Sequence, residues 1–176
     1  GNQGRSHALN CRDSGISDLV IGLRPESNHR QTATADGFTV FNLSQACEWA
    51  NFIMLLTPDE THAEVYNNHI QPHLAAQVTL ALADGLSIHS QLIPPPQEGD
   101  IVLVAPKSPG DMVRHEYING RGTPCLVAVN QDHTGHAEAL ALSYAHAIGA
   151  DRAGIITTTF KDETEIDLFG EQAVIC

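Results

Sequence analysis

Seven short runs of apolar and β-branched residues punctuate the chain, at Leu19–Leu23, Phe38–Phe41, Phe52–Leu56, Val78–Leu82, Ile101–Ala105, Cys125–Val129 and Gly154–Thr158. Each has the length of a strand, and most lack the strict apolar–polar alternation of a half-solvated one, which suits strands covered on both faces. Between several of them the pattern changes to that of an amphipathic helix, at Leu43–Ala50, Glu60–Asn67 and Gly135–Ile148. Strands alternating with helices predict an α/β fold with a mostly parallel sheet. Pro94-Pro95-Pro96, followed by Gln97-Glu98-Gly99-Asp100, marks an exposed connection before the next strand. No internal repeat or low-complexity tract interrupts the pattern.

The opening residues sharpen this. Gly1-Asn2-Gln3-Gly4 leads into a helical stretch, Arg5 to Asp13, closed by Ser14-Gly15. The arrangement matches the last two glycines of G-x-G-x-x-G, at which a strand turns into a helix whose N-terminus holds a pyrophosphate. About twenty residues on, where an acidic side chain would hold the ribose hydroxyls of NAD, stands Arg24-Pro25-Glu26-Ser27-Asn28-His29-Arg30. Arg24 and Ser27 can pair with a 2′-phosphate, so NADP(H) is expected over NAD(H). The expected fold is therefore a Rossmann-like, doubly wound sheet that lacks its first strand. That strand would be central, so its absence predicts a gap between its neighbours and an N-terminally incomplete sequence.

Composition narrows the function. Apolar residues make up 42% and charged residues 17% of 176, the profile of a globular protein large enough for one real core. The net charge of −12, with seven arginines and only Lys107 and Lys161, argues against a nucleic-acid or anionic-membrane partner. Cys11, Cys47, Cys125 and Cys176 lie far apart without a C-x-x-C and read as reduced thiols of an intracellular protein. No apolar run approaches the length of a membrane span.

Near the C-terminus, Glu163, Asp167 and Glu171 recur every four residues and would share one face of a helix. Such like-charge neighbours cost about 0.2–0.5 kcal/mol per pair. A cation would relieve that repulsion, and oxygen donors without thiolate or imidazole suit Mg²⁺. A solvated acidic face is the alternative. The adjoining Ile166, Leu168 and Phe169 predict that the helix is at least partly packed.

Several stretches stand out together: Gly1-Asn2-Gln3-Gly4-Arg5-Ser6-His7-Ala8-Leu9-Asn10, Arg12-Asp13-Ser14-Gly15, Gly22-Leu23-Arg24 and Leu56-Thr57-Pro58-Asp59-Glu60. Ala105-Pro106-Lys107-Ser108-Pro109-Gly110, Val113-Arg114-His115-Glu116-Tyr117, and Thr159-Phe160 through Asp167-Leu168-Phe169-Gly170-Glu171-Gln172 complete the set. In this order they resemble ketol-acid reductoisomerase (acetohydroxy-acid isomeroreductase). The resemblance implies an NADP-binding Rossmann domain over residues 1–158 and the start of a metal-binding helical region over 159–176, without the family's all-α C-terminal domain. It implies conversion of 2-acetolactate or 2-aceto-2-hydroxybutyrate, both 2-hydroxy-2-alkyl-3-keto acids, to dihydroxy acids of branched-chain amino-acid synthesis. The family does this by a Mg²⁺-dependent alkyl shift followed by hydride transfer from NADPH. It would place the protein in the cytoplasm of a bacterium or in a eukaryotic plastid or mitochondrion, with any homo-oligomer built through the helical domain.

Residue by residue, the resemblance assigns Gly1, Asn2, Gln3, Gly4 and Gly110 to the cofactor's cradle. It assigns Arg24 and Ser27 to the 2′-phosphate, and Asp59 to the neighbourhood of the adenosine. Lys107 becomes the active-site lysine. Asp167 and Glu171 become ligands of a two-ion Mg²⁺ site; Glu163 is read as a helix-start residue. One position departs from the family: Ala83-Asp84-Gly85 stands where A-H-G is typical. Asp84 is normally an anion and an acceptor, whereas an imidazole near neutral pH can donate or accept. An inactive NADP(H)-binding piece is therefore the competing expectation. A β-hydroxy-acid dehydrogenase would share the nucleotide fold but not the pairing of A-P-K-S-P-G with D-L-F-G-E-Q. The remaining histidines, His62, His69 and His73 among them, read as solvated, and His133 and His136 as surface or cap residues.

Overall fold

The computed structural model describes residues 1–74 and 77–173, with side chains as far as Gly170. In order, the main elements are α1 (Asn2–Asp13), β1 (Val20–Gly22), α2 (His29–Ala35), β2 (Thr39–Phe41), α3 (Leu43–Trp49), β3 (Phe52–Leu55), α4 (His62–Val65), β4 (Thr79–Leu82), α5 (Leu86–His89), β5 (Asp100–Pro106), α6 (Gly110–Ile118), β6 (Cys125–Gln131), α7 (Ala137–Ala147), β7 (Ile155–Thr157) and α8 (Phe160–Ala173). All seven expected strands form. Three helices escape the periodicity reading, and the one-turn α5 is too short to show a period. α2 has no buried residue to leave an apolar stripe, and α6 buries only Gly110 and Val113.

The strands form two sheets. β1 and β2 pair in parallel, and β3-β4-β5-β6-β7 makes a five-stranded sheet, parallel except for the antiparallel β5–β6 pair. Among the described residues no strand joins β1 to β3, so a break falls where a doubly wound sheet has its central strand. Burial follows from this. Every residue of β4 and β5 is buried, as expected of strands with neighbours on both sides, whereas Val20–Gly22 and Phe52–Met54 are only half-buried.

Two cores flank the larger sheet. One joins Leu55, Tyr66, Ile70, Leu80, Leu82, Ile101 and Leu103; the other joins Cys11, Val102, Val104, Val127 and the alanine face of α7. Small residues at Ala137, Ala141 and Ala145 let α7 lie close over β5 and β6. The buried Asn10 ties three helices together. Its amide donates to the carbonyls of Val113 (3.3 Å) and Ile148 (3.0 Å), and its oxygen accepts from Arg114 Nη1 (2.8 Å). Arg114 also pairs with Asp13 at 2.6 Å. Cys11, Cys47 and Cys125 are free and buried, in keeping with reduced thiols; Cys176 lies outside the described residues. No described helix is long and apolar enough to cross a membrane.

Candidate active site

Because β3, β4 and β5 run in parallel, their carboxyl ends share one edge, where ligands of open α/β sheets bind. Thr57–Thr61 follows β3, Asp84-Gly85 follows β4, and Lys107-Ser108-Pro109 follows β5. α8 crosses this edge. It packs through Phe160, Glu163 and Thr164, which are buried, with Asp167 half-exposed on the same face.

The helix is partly packed, as expected, but not through the apolar residues that suggested it. Ile166, Leu168 and Phe169 do not pack the helix; they are exposed, Phe169 at 69%. Leu168, 39% exposed, still borders an acidic recess at this edge, whereas Ile166 and Phe169 do not line it. Glu163 stands in the first turn of α8, as expected, and is also the most buried carboxylate of the site, at 0% exposure. Its Oε2 accepts from the Gly85 N–H at 2.7 Å and its Oε1 from Lys107 Nζ at 2.5 Å. Thr159 serves the start of the helix as well: its hydroxyl accepts from the Asp162 N–H at 3.0 Å. Glycine is required at position 85, since a Cβ there would lie 2.5 Å from Thr164 Oγ1 and 2.6 Å from the Phe160 carbonyl.

Lys107 also reaches Asp167 Oδ1 at 2.9 Å. Burial opposes its charge, but hydrogen bonds and attraction from Glu163 and Asp167 outweigh this and raise its pKa. A recess beside the pair is lined by Asp59, Asp84, Leu86, Glu163, Thr164, Asp167 and Leu168. Desolvation first, then the charges of Asp59 and Glu163, push Asp84 up to about 7. Asp59 therefore stands in the acidic recess with Asp84.

His62 corrects a further expectation. It is 1% exposed rather than solvated. Its Nε2 lies 2.9 Å from the Thr57 carbonyl and its Nδ1 2.8 Å from Ser87 Oγ. A carbonyl only accepts, so Nε2 carries the proton and Nδ1 can accept from the serine. No periodic signal marks His62, because its burial comes from the Thr57 loop and the Ser87 helix turn meeting in space. His69 and His73 are half-buried beside Ser44 and Glu48, and His133 and His136 are exposed as expected.

At the nucleotide end, α1 begins at Asn2, earlier than the pattern suggested, with Gly1 at its cap and no side chain satisfying the cap. Free N–H groups and the positive end of the helix dipole together suit a phosphate. Gly110 is buried against α1; a Cβ there would overlap the Asn2 carbonyl carbon and the Gln3 nitrogen. Gln3 is held from both ends. Its Nε2 donates to the Ser108 carbonyl (2.9 Å) and its Oε1 faces His7 Nε2 (3.1 Å). Burial lowers His7 to about 4, leaving it a neutral link between Gln3 and the Tyr144 hydroxyl. Gly4 lies beside Leu56 with ordinary clearance. Arg24 is exposed at the end of β1, 3.6 Å from Glu26, and Ser27 Oγ accepts from the His29 N–H at 3.3 Å. Arg30 is the arginine built into the fold: it donates to the carbonyls of Leu23 and Phe41. Glu171, the second expected metal ligand, has its side chain outside the described residues.

A broken, mostly parallel sheet, an uncapped helix opening at its carboxyl edge and an arginine after β1 define a dinucleotide-binding, Rossmann-like domain. Comparison narrows the class. Residues 1–154 match the profile of the acetohydroxy acid isomeroreductase NADPH-binding domain. An NADH-preferring ketol-acid reductoisomerase from an uncultured archaeon is 39% identical and superposes with a TM-score of 0.96, covering 100% of this chain and 54% of that one. The chain belongs to the ketol-acid reductoisomerase family, and it spans about half the length of that relative.

More distant structures share the fold alone. A semialdehyde dehydrogenase NAD-binding protein from Cupriavidus necator is 16% identical with a TM-score of 0.78, covering 99% of this chain and 66% of that one. Pyrroline carboxylate reductase of Plasmodium falciparum, solved with NADP, is 17% identical with a TM-score of 0.69, covering 99% and 62%.

Proposed function

We propose that this chain is the NADP(H)-binding part of a ketol-acid reductoisomerase and supplies part of its Mg²⁺ site. The observation that supports it best is Lys107, one of only two lysines, bridging Glu163 and Asp167 where the cofactor fold meets the acidic helix. The substrates would be 2-acetolactate and 2-aceto-2-hydroxybutyrate.

The residues present fit both cofactors. NADPH would lie with its pyrophosphate over Gly1–Gly4 and the close crossing at Gly110, and its 2′-phosphate at Arg24 and Ser27. NADPH when bound supplies the hydride. The half-exposed Asp167 carboxylate, an oxygen donor beside no thiolate, fits Mg²⁺, with Glu171 as its companion. Mg²⁺ when bound supplies Lewis-acid stabilisation of negative charge on the substrate's two oxygens. Glu163 holds the Lys107 ammonium at the recess, where it can donate to a substrate oxygen that gains negative charge during the alkyl shift. Its second oxygen fixes the Gly85 N–H and so places Asp84.

Arg24 supports NADPH, whereas the archaeal relative is described as NADH-preferring. Fluorescence titration with NADPH and NADH, each with and without Mg²⁺, tests the reading. Tighter binding of NADPH is expected; failure to bind either would favour a non-functional piece. These 176 residues are expected to show no acetolactate-dependent NADPH oxidation by themselves. Mg²⁺-dependent turnover would overturn that expectation.

A further inference from the structure

The acidic recess holds more negative charge than its neighbours balance. Four carboxyl groups line it, those of Asp59, Asp84, Glu163 and Asp167. Among the described residues Lys107 is the one ammonium bonded to any of them, and Glu163 and Asp167 already share it. Glu163 is fully buried and engaged on both oxygens. Asp59 and Asp84 are left facing each other with no cation bonded to either among the described residues. Their nearest carboxylate oxygens and the His62 ring nitrogen all lie within 4.8 Å of one another.

His62 makes no hydrogen bond to either carboxyl. Its Nε2 is 3.9 Å from Asp59 Oδ1, beyond a hydrogen bond, and its N–H there is used by the Thr57 carbonyl. With Nδ1 occupied by Ser87, the ring has no nitrogen free to hold a metal in this arrangement. The backbone gives Asp84 a single donor, the Leu86 N–H at 3.1 Å. Two anions at this range in a half-buried site repel, and one proton relieves the repulsion.

We propose that Asp59 and Asp84 form a carboxyl pair that shares one proton at neutral pH, making Asp84 an O–H donor facing the recess. The observations that carry it are the approach of the two carboxyls, the unbalanced charge around them and the full engagement of His62. The ionisation behaviour agrees, since Asp84 is pushed up to about 7 by desolvation and by Asp59 and Glu163. Asp84 then does at this position what the acceptor-only aspartate expected from sequence could not: it offers a proton to a ligand's carbonyl or alkoxide oxygen. That choice of ligand rests on the proposed function above, but the shared proton does not.

The proton can be read directly by NMR on protein labelled with ¹³C at the aspartate carboxyl, titrated from pH 4 to 9 with a chelator present. One aspartate should titrate with a midpoint near pH 7, and that signal should be missing in Asp84→Asn. In Asp59→Asn the midpoint should fall by about one pH unit or more, tenfold in proton affinity. Should Asp84→Asn fail to fold, the shift in Asp59→Asn decides alone, because Asp59 is half-exposed and its amide is isosteric. The proposal is overturned if every aspartate titrates below pH 5, or if Asp59→Asn leaves the high midpoint in place. NADPH titration of the same sample reads the nucleotide site separately, so loss of either result leaves the other standing.

Discussion

Replacing Glu163 by Gln would expose how this edge is held together. The carboxylate accepts from Gly85 N–H at 2.7 Å and from Lys107 Nζ at 2.5 Å, at 0% exposure. Glutamine keeps the volume but has one acceptor oxygen, so one donor loses its partner, and its NH₂ then faces an N–H or an ammonium. Hydrogen bonds to charged groups contribute about 1.5–3 kcal/mol, and breaking a fully buried ion pair costs about 3–5 kcal/mol. Lys107 is 31% exposed and keeps Asp167, so the lower range applies. A loss of about 2–3 kcal/mol is expected. At about 2–4 °C per kcal/mol for a chain of this size, Tm should fall by roughly 4–12 °C. Urea unfolding should show a lower midpoint at unchanged slope. A double-mutant cycle with Lys107→Met should return a coupling above about 1 kcal/mol. Additive losses, or a change under about 0.5 kcal/mol for Glu163→Gln, would mean that the contact does not hold the helix and the argument from burial is wrong.

Three further outcomes follow from the same geometry. Asp84 binds its proton more tightly folded than unfolded, so its contribution is complete below the unfolded carboxylate range near pH 4. It is lost as pH rises toward about 7, at up to about 1.4 kcal/mol per pH unit, and Asp84→Asn should flatten that slope in urea midpoints measured from pH 4 to 8. Gly110→Ala places a methyl against the Asn2 and Gln3 backbone, which cannot move aside as a side chain could. It should cost about 1–3 kcal/mol in thermal or urea unfolding and weaken NADPH binding in a fluorescence titration. Arg24→Ala should weaken NADPH binding while leaving NADH nearly unchanged; equal losses for both would remove Arg24 from the 2′-phosphate.

Much of this was legible in the chain. Strand runs such as Ile101–Ala105 announce themselves because a strand buried on both faces must be apolar throughout, and the G-x-x-G start and Lys107 sit where local backbone chemistry puts them. The separation of β1-β2 from the five-stranded sheet agrees with the gap expected from the G-x-x-G start. What the sequence could not carry is everything made by contact across it. α2 leaves no apolar stripe because it buries nothing, and the antiparallel direction of β6 depends on the route taken by 107–124. Glu163 shares its spacing with Asp167 and Glu171 and reads as a helix-start residue, yet spacing alone does not say which side of α8 meets the sheet. Only the packed structure turns Glu163 inward to Gly85 and Lys107, turns Phe169 outward, and brings Asp59, His62 and Asp84 together. The acidic helix face is thus written in the sequence by its period of four, while the division of its carboxylates between clamp and open recess is decided by burial.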